Sequence, residues 1–195
     1  IASTSSVYGS NKSLPFNENQ KADTQMSFYA ASKKAAEVLS HSYSHIHQIP
    51  MTIFRFFTVY GPWGRPDMAL FDFTKNIIAG NEIHAFNHGN MKRDFTYIAD
   101  IIQGIKIAML ADIESGEIFN IGRGKQVDLM DFIDIIGKQV GREPKVKLAP
   151  RHPADTLETW SDTYKLRKLG YKPKVNIEQG VSAFVRWFKD YYGVK

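Results

Sequence analysis

The sequence contains no cysteine. That excludes a disulfide framework, a thiolate metal site and a cysteine nucleophile, and it fits a reducing, cytoplasmic setting. Nor is there an apolar run near the roughly 18 residues that a membrane span requires. The densest stretch, 51–60, carries Arg55 in its middle. No secretory signal pattern and no tract of like charge stands out. The net charge of +5 comes from scattered residues, and the tightest basic groups are pairs: Lys33-Lys34, Lys92-Arg93 and Arg167-Lys168. A nucleic-acid binder would carry a basic stripe or cluster, so neither a nucleic acid nor a membrane is an expected partner. A small polyanion such as a sugar nucleotide needs only a few well-placed cations.

The rest is the composition of a folded chain: of 195 residues, 43% are hydrophobic and 23% charged. Disorder is excluded on that ground. The first residues, Ile1-Ala2-Ser3, read as the end of a buried strand. β-Branched and aromatic segments predict further strands over 52–58, 83–86, 93–97 and 117–121. Apolar residues at helical spacing predict helices over 28–43, 68–79, 99–110, 128–140 and 177–192. The third helix shows Ile102, Ile105 and Met109 at that spacing, and the fourth shows Leu129, Phe132, Ile133, Ile136 and Val140 behind Asp128 as N-cap. The last repeats the pattern with Val181, Phe184, Val185 and Phe188. Strands alternating with helices predict an α/β fold.

Tyr29 and Lys33 stand four residues apart in the first helix, which puts phenol and ammonium on one face. An ammonium so placed favours the phenolate, and a phenolate is a general base. The spacing alone is unspecific: Tyr164 and Lys168 repeat it and read as surface decoration. Context adds weight. Thr4-Ser5-Ser6 follows a strand, at the sheet edge where open α/β proteins bind ligands. Three hydroxyls there suit a substrate hydroxyl or carboxylate, though a Ser-rich turn also bonds its own backbone.

Five ordered blocks then carry a resemblance: Ser3-Thr4-Ser5-Ser6-Val7-Tyr8-Gly9, Tyr29-Ala30-Ala31-Ser32-Lys33, Arg55-Phe56-Phe57-Thr58-Val59-Tyr60-Gly61-Pro62, Lys92-Arg93-Asp94-Phe95-Thr96-Tyr97-Ile98 and Phe119-Asn120-Ile121-Gly122. Together they resemble the extended short-chain dehydrogenase/reductases, and within them the NAD-dependent nucleotide-sugar epimerases. The stretch 58–69, with Thr58 where many relatives have Asn, is similar to the UDP-glucuronate 4-epimerases. The resemblance implies the C-terminal portion of a Rossmann-like doubly wound parallel sheet plus a smaller α/β substrate-binding domain. Residues 1–60 and 92–124 would belong to the NAD-binding part, and 61–91 and 125–195 to the nucleotide-sugar part. It implies Tyr29 as base, Lys33 as its modulator and nicotinamide-ribose contact, and Thr4 as hydroxyl partner of the reacting sugar. Ser5, Ser6, Thr58 and Arg65 would face a uronate carboxylate, an anion that cannot be buried unpaired. Arg65 offers a bidentate fork, or else a surface ion pair. Arg93 would reach the diphosphate. Asp155 would contact the uridine ribose, with Arg151 or His152 near the phosphate.

The cofactor implied is NAD, the partners a UDP-sugar and a second subunit paired through the Tyr29 helix, and the setting polysaccharide-precursor supply. A decarboxylase or dehydratase of the same family is the rival activity, although Thr4-Ser5-Ser6 has no acidic neighbour of the kind dehydratases use. The Gly-rich βαβ turn of the family is missing, so about a hundred residues are expected ahead of Ile1. Alone, the chain is expected to be inactive and prone to aggregate at its sheet edge. Gly122-Arg123-Gly124 lacks the third glycine of a dinucleotide fingerprint and reads as a loop. His41 and His45 share a helix face without a completing ligand, so no metal site is expected. Phe184, Trp187, Phe188 and Tyr191 read as core packing.

Overall fold

The computed structural model describes residues 1–151 and 156–194. Chain order is β1 (Ala2–Thr4), a 3-10 turn (Ser5–Tyr8), α1 (Phe28–His47), β2 (Thr52–Phe56), β3 (Thr58–Tyr60), α2 (Ala69–Ala79) and β4 (Glu82–Ala85). It continues with β5 (Lys92–Arg93), β6 (Phe95–Tyr97), α3 (Ile98–Leu110), β7 (Glu117–Ile121) and β8 (Val127–Asp128). Last come α4 (Leu129–Val140), β9 (Lys145–Leu148), α5 (Tyr164–Lys168) and α6 (Ile177–Tyr192). The architecture is α/β, as the alternation predicts.

The central sheet runs β1-β2-β7, all parallel, with Thr4 opposite Phe56 and Phe56 opposite Ile121. β1 is one edge of it. The strand expected over 52–58 is in fact two. Phe57 N–H bonds Ile121 O at 3.1 Å, and the next amide, Thr58, turns to Asp94 O at 3.1 Å. The chain thereby leaves β7 and pairs β3 with β6, Thr58 opposite Phe95. A gap opens beyond the carboxyl ends of β1 and β2, where such sheets bind ligands.

Local signals account for most helix limits. Ser27 caps α1 by accepting from Ala30 N at 3.1 Å, and the helix runs one turn past the expected 43 to a left-handed Gln48. Asn176 and Gln179 form a reciprocal capping box on α6. Asp128 occupies the N-cap of α4, but its side chain makes no cap bond and pairs with Lys92 at 3.5 Å instead.

Two cores result. Phe132, Ile133 and Ile136 of α4 and Val181, Phe184, Val185 and Phe188 of α6 close against Phe71 and Ile77 of α2, as their stripes predict. Trp187 is only partly buried there and Tyr191 is exposed, so the last helix's aromatic group is core on one side only. Around the sheet, α3 buries Ile101, Gly104 and Ala108 and leaves Ile102 and Met109 exposed. Of the expected stripe, Ile105 packs against the sheet core while Ile102 and Met109 turn outward. A Cβ at Gly104 would stand 3.3 Å from Ile121 and 3.2 Å from Leu166. Gly104 therefore lets α3 approach the sheet closely, with Ile101 also buried on that helix. Tyr164 and Lys168 sit on α5, the ammonium 4.5 Å from the centre of an exposed ring, which is surface decoration as expected.

Candidate active site

β1 ends at Thr4, which caps the 3-10 turn: its Oγ1 accepts from Ser6 N at 3.2 Å and donates to Ser6 Oγ at 3.3 Å. The hydroxyl run therefore does bond its own backbone. It also lines a cleft of about 670 Å³, together with Tyr29 and Lys33 from α1. Tyr29 is half exposed there. Lys33 Nζ donates to Ala2 O at 3.1 Å, and an ammonium has two further donors to offer a ligand.

The far wall comes from the loop after β3. A Cβ at Gly61, whose φ is +145°, would lie 2.7 Å from Ile98 Cγ2, so the loop can pass α3 this closely only with glycine. Trp63, also at positive φ, rests against Trp187 and Tyr191 with ring centres 5.2 and 5.0 Å away. Arg65 pairs with Asp67 at 3.0 Å, both largely exposed, so the surface ion pair is real. Arg65 nonetheless faces the cleft, as do Thr58 and Arg93. Arg93 Nη1 donates to Leu157 O at 2.9 Å.

The cleft thus gathers Thr4, Ser5, Ser6, Tyr29, Lys33, Thr58, Arg65 and Arg93. Asp155 and His152 lie outside the described residues. Gly122-Arg123-Gly124 is a loop whose amides are engaged: Arg123 N and Gly124 N donate to Asp94 at 2.9 and 3.0 Å. Among the described residues no group of three potential ligands could hold a metal, and no helix is long and apolar enough to cross a membrane. His41 and His45 are both exposed on α1.

Three buried carboxylates escaped the sequence reading: Asp100, which accepts from Lys174 N and Val175 N at 2.9 and 3.0 Å, Asp94 and Glu37. Asp94 is fully buried and also accepts from Ser161 N, Ser161 Oγ and Thr96 Oγ1. Burial raises its pKa, against the pull of those hydrogen bonds. It fastens the 122–124 loop and the 159–161 segment beside Arg93. Its signal was an acid inside an aromatic strand. Glu37 is held by both nitrogens of an Arg55 fork at 2.9 Å, by Ser3 Oγ at 2.6 Å and by Lys34 Nζ at 3.0 Å. Burial alone would raise the Glu37 carboxyl, but the bonds from Arg55, Ser3 and Lys34 and the Arg55 charge hold it down at about 2. Its signal was a charged residue centred in the chain's most apolar run. Arg55 also lies 4.9 Å from the ring centre of Tyr8, whose phenol burial pushes up to about 12.

Known proteins are similar to this chain over nearly all of its length. An uncharacterised protein of Methanocaldococcus jannaschii is 50% identical over 188 residues, covering 96% of this chain and 57% of its own. A UDP-glucuronate 4-epimerase of Thermodesulfobacterium geofontis is 43% identical over 192 residues, covering 97% and 58%. The crystal structure of the Bacillus cereus UDP-glucuronic acid 4-epimerase, in complex with UDP-glucuronic acid and NAD, superposes with a TM-score of 0.92 at 35% identity, covering 98% of this chain and 61% of that one. The chain therefore spans about three fifths of the length of these relatives. The fold is that of the Rossmann-like neighbours. Residues 1–122 match the NAD dependent epimerase/dehydratase family, and the chain belongs to it.

Proposed function

We propose that the full-length protein epimerises UDP-glucuronate to UDP-galacturonate at carbon 4. The observation that supports this reading is the single cleft into which β1, α1 and the loop after β3 bring the hydroxyl cluster, the Tyr29–Lys33 pair and Arg65. NAD, when bound, takes up and returns the hydride of the sugar carbon. The residues here suit only its nicotinamide end: Lys33 keeps donors for a ribose, while the 122–124 amides are spent on Asp94.

Tyr29 removes the 4-hydroxyl proton and later returns it, with Thr4 holding the same hydroxyl in line. Lys33 lies one helical turn from Tyr29 on the same face of α1. Oxidation at carbon 4 makes the uronate a β-keto acid, which loses carbon dioxide when its carboxylate aligns with the carbonyl. Arg65, Thr58, Ser5 and Ser6 hold the carboxylate out of alignment. Arg93 meets the diphosphate. The part built on β1, β2 and β7 serves the cofactor, and the part built on α2, α4 and α6 serves the nucleotide. Phe28, Leu39, Tyr43 and Ile46, exposed along α1, form the face for a second subunit.

Reading the coding DNA ahead of Ile1 and assaying the full-length protein with UDP-glucuronate tests the proposal. UDP-galacturonate without carbon dioxide is the expected product. A pentose nucleotide with carbon dioxide would make the protein a decarboxylase, and no turnover would overturn both readings.

A further inference from the structure

The buried ion pair nearest the cleft has no role in the chemistry above. Glu37 and Arg55 are 3% and 2% exposed. Burying such a pair gains little stability over an apolar pair of the same volume, so stability alone does not account for it. What a carboxylate with four fixed donors supplies is placement.

The placement is specific. Glu37 follows Lys33 by four residues and Tyr29 by eight, so all three share one face of α1. Its donors Ser3 and Arg55 are register partners on β1 and β2. The next rung of the same ladder is Thr4 opposite Phe56, where the cleft begins. The other side of the Arg55 guanidinium faces the ring of Tyr8, last residue of the turn that carries Ser5 and Ser6. Tyr8 OH then donates to Asn120 of β7 at 2.7 Å. One buried pair thus touches the helix of the general base, the strand of Thr4 and the turn of the hydroxyl cluster.

We infer that Glu37 is a positioning residue: clamped by Ser3 and Arg55, it fixes α1 on the β1–β2 rung beside the cleft and so sets Tyr29 and Lys33 against Thr4. This rests on the roles proposed for those three residues. Near-attack geometry is sensitive to displacements of about 1 Å, so a loosened helix lowers turnover while the rest of the cleft still binds.

The test uses the full-length protein and three variants, each assayed at a temperature where it is folded. Ser3→Ala removes one donor, Glu37→Gln removes the charge, and Ile136→Val loosens the distant α4 core as a control for stability alone. For Ser3→Ala the expected result is a fall in kcat of about five-fold or more with KM within about two-fold. Glu37→Gln falls further, and Ile136→Val keeps its kcat despite a lower melting temperature. Amide exchange over 28–34 should quicken about five-fold in Ser3→Ala and not in Ile136→Val. A Ser3→Ala kcat within two-fold of the parent, or unchanged exchange over 28–34, overturns the inference. If Glu37→Gln does not fold, Ser3→Ala carries the decision. If the parent does not epimerise UDP-glucuronate, the proposed function fails, and the exchange comparison alone upholds or overturns the clamp.

Discussion

Lys33 Nζ reaches back to the carbonyl of Ala2 at 3.1 Å, two residues before Thr4. The cation that shares a helix face with Tyr29 is therefore tethered to the strand that carries the hydroxyl cluster. The tether uses one of three ammonium protons and leaves two donors for a ligand.

Replacing Tyr29 by Phe removes the base and leaves the half-exposed ring in place. In the full-length protein kcat should fall about 10²- to 10⁴-fold, the usual contribution of a general base. Calorimetric titration with UDP-glucuronate should show binding within about three-fold of the parent, since the hydroxyl has no hydrogen-bond role in holding the fold. A comparable loss in binding would mean that Tyr29 serves the site by contact and not by proton transfer.

Arg65 offers a sharper test of the sugar. Its exposed pair with Asp67 contributes about 0–1 kcal/mol, so Arg65→Ala should leave the melting temperature almost unchanged. A charge-assisted bond to a carboxylate is worth about 1.5–3 kcal/mol, and UDP-glucuronate should bind roughly 10- to 100-fold more weakly. UDP-glucose, which has no carboxylate, should lose little. Equal losses for the two sugars would remove the uronate assignment and leave the epimerase one standing.

What the sequence made legible was local. The stripes of α4 and α6 repeat every three or four residues, and Tyr29 and Lys33 are one turn apart. Nothing local distinguished the two sides of α3, because both are apolar; Gly104 is set against the sheet by the side chains of Ile121 and Leu166, remote in sequence. β9 was missed because what makes it a strand is β4, more than sixty residues earlier, with Ile83 opposite Val146. The break at Phe57 depends on Ile121 and Asp94, equally remote. Of the cleft, the meeting of Arg93 with Tyr29 was expected only through the order of five motif blocks, and that of Arg65 only through the 58–69 stretch. Asp94 and Glu37 lay inside those blocks or next to them, but their meaning rests on Ser161 and Arg55, which no spacing rule connects.

Glu37 makes stability depend on acid. Its folded-state value of about 2 lies below the ordinary value of 4.5, so the folded state favours the carboxylate more than the unfolded chain does. The contribution is complete above about pH 4.5 and is lost as pH falls towards 2. The full effect is on the order of 3 kcal/mol. Urea midpoints of the parent should drop across this window, and those of Glu37→Gln should drop less. Parallel curves for the two would show that other carboxylates set the acid limit.

Asp94 and Ser161 predict an ordering rather than a single number. Ser161→Ala removes one hydroxyl donor from Asp94 Oδ2, while Ser161 N and Gly124 N still meet that oxygen at 3.0 Å. A buried acceptor that keeps two partners should cost about 1 kcal/mol. Asp94→Asn is harsher, because an amide nitrogen would have to face donors on one side or the other: Gly124 and Ser161, or Arg123 and Thr96. No rotation of the amide satisfies both groups, and the loss should approach the 3–5 kcal/mol seen when one member of a buried charged set is removed. The consequence reaches the cleft, since Arg93 is bonded to Leu157 O and Thr159 Oγ1 accepts from Asp94 N at 3.2 Å. With the 122–124 and 159–161 segments released, KM for a UDP-sugar should rise several-fold more in Asp94→Asn than in Ser161→Ala. Guanidinium unfolding and initial-rate kinetics on the same preparations check both orderings. If Ser161→Ala proved the more damaging variant, the short hydroxyl contact and not the carboxylate charge would be what holds this wall of the cleft together.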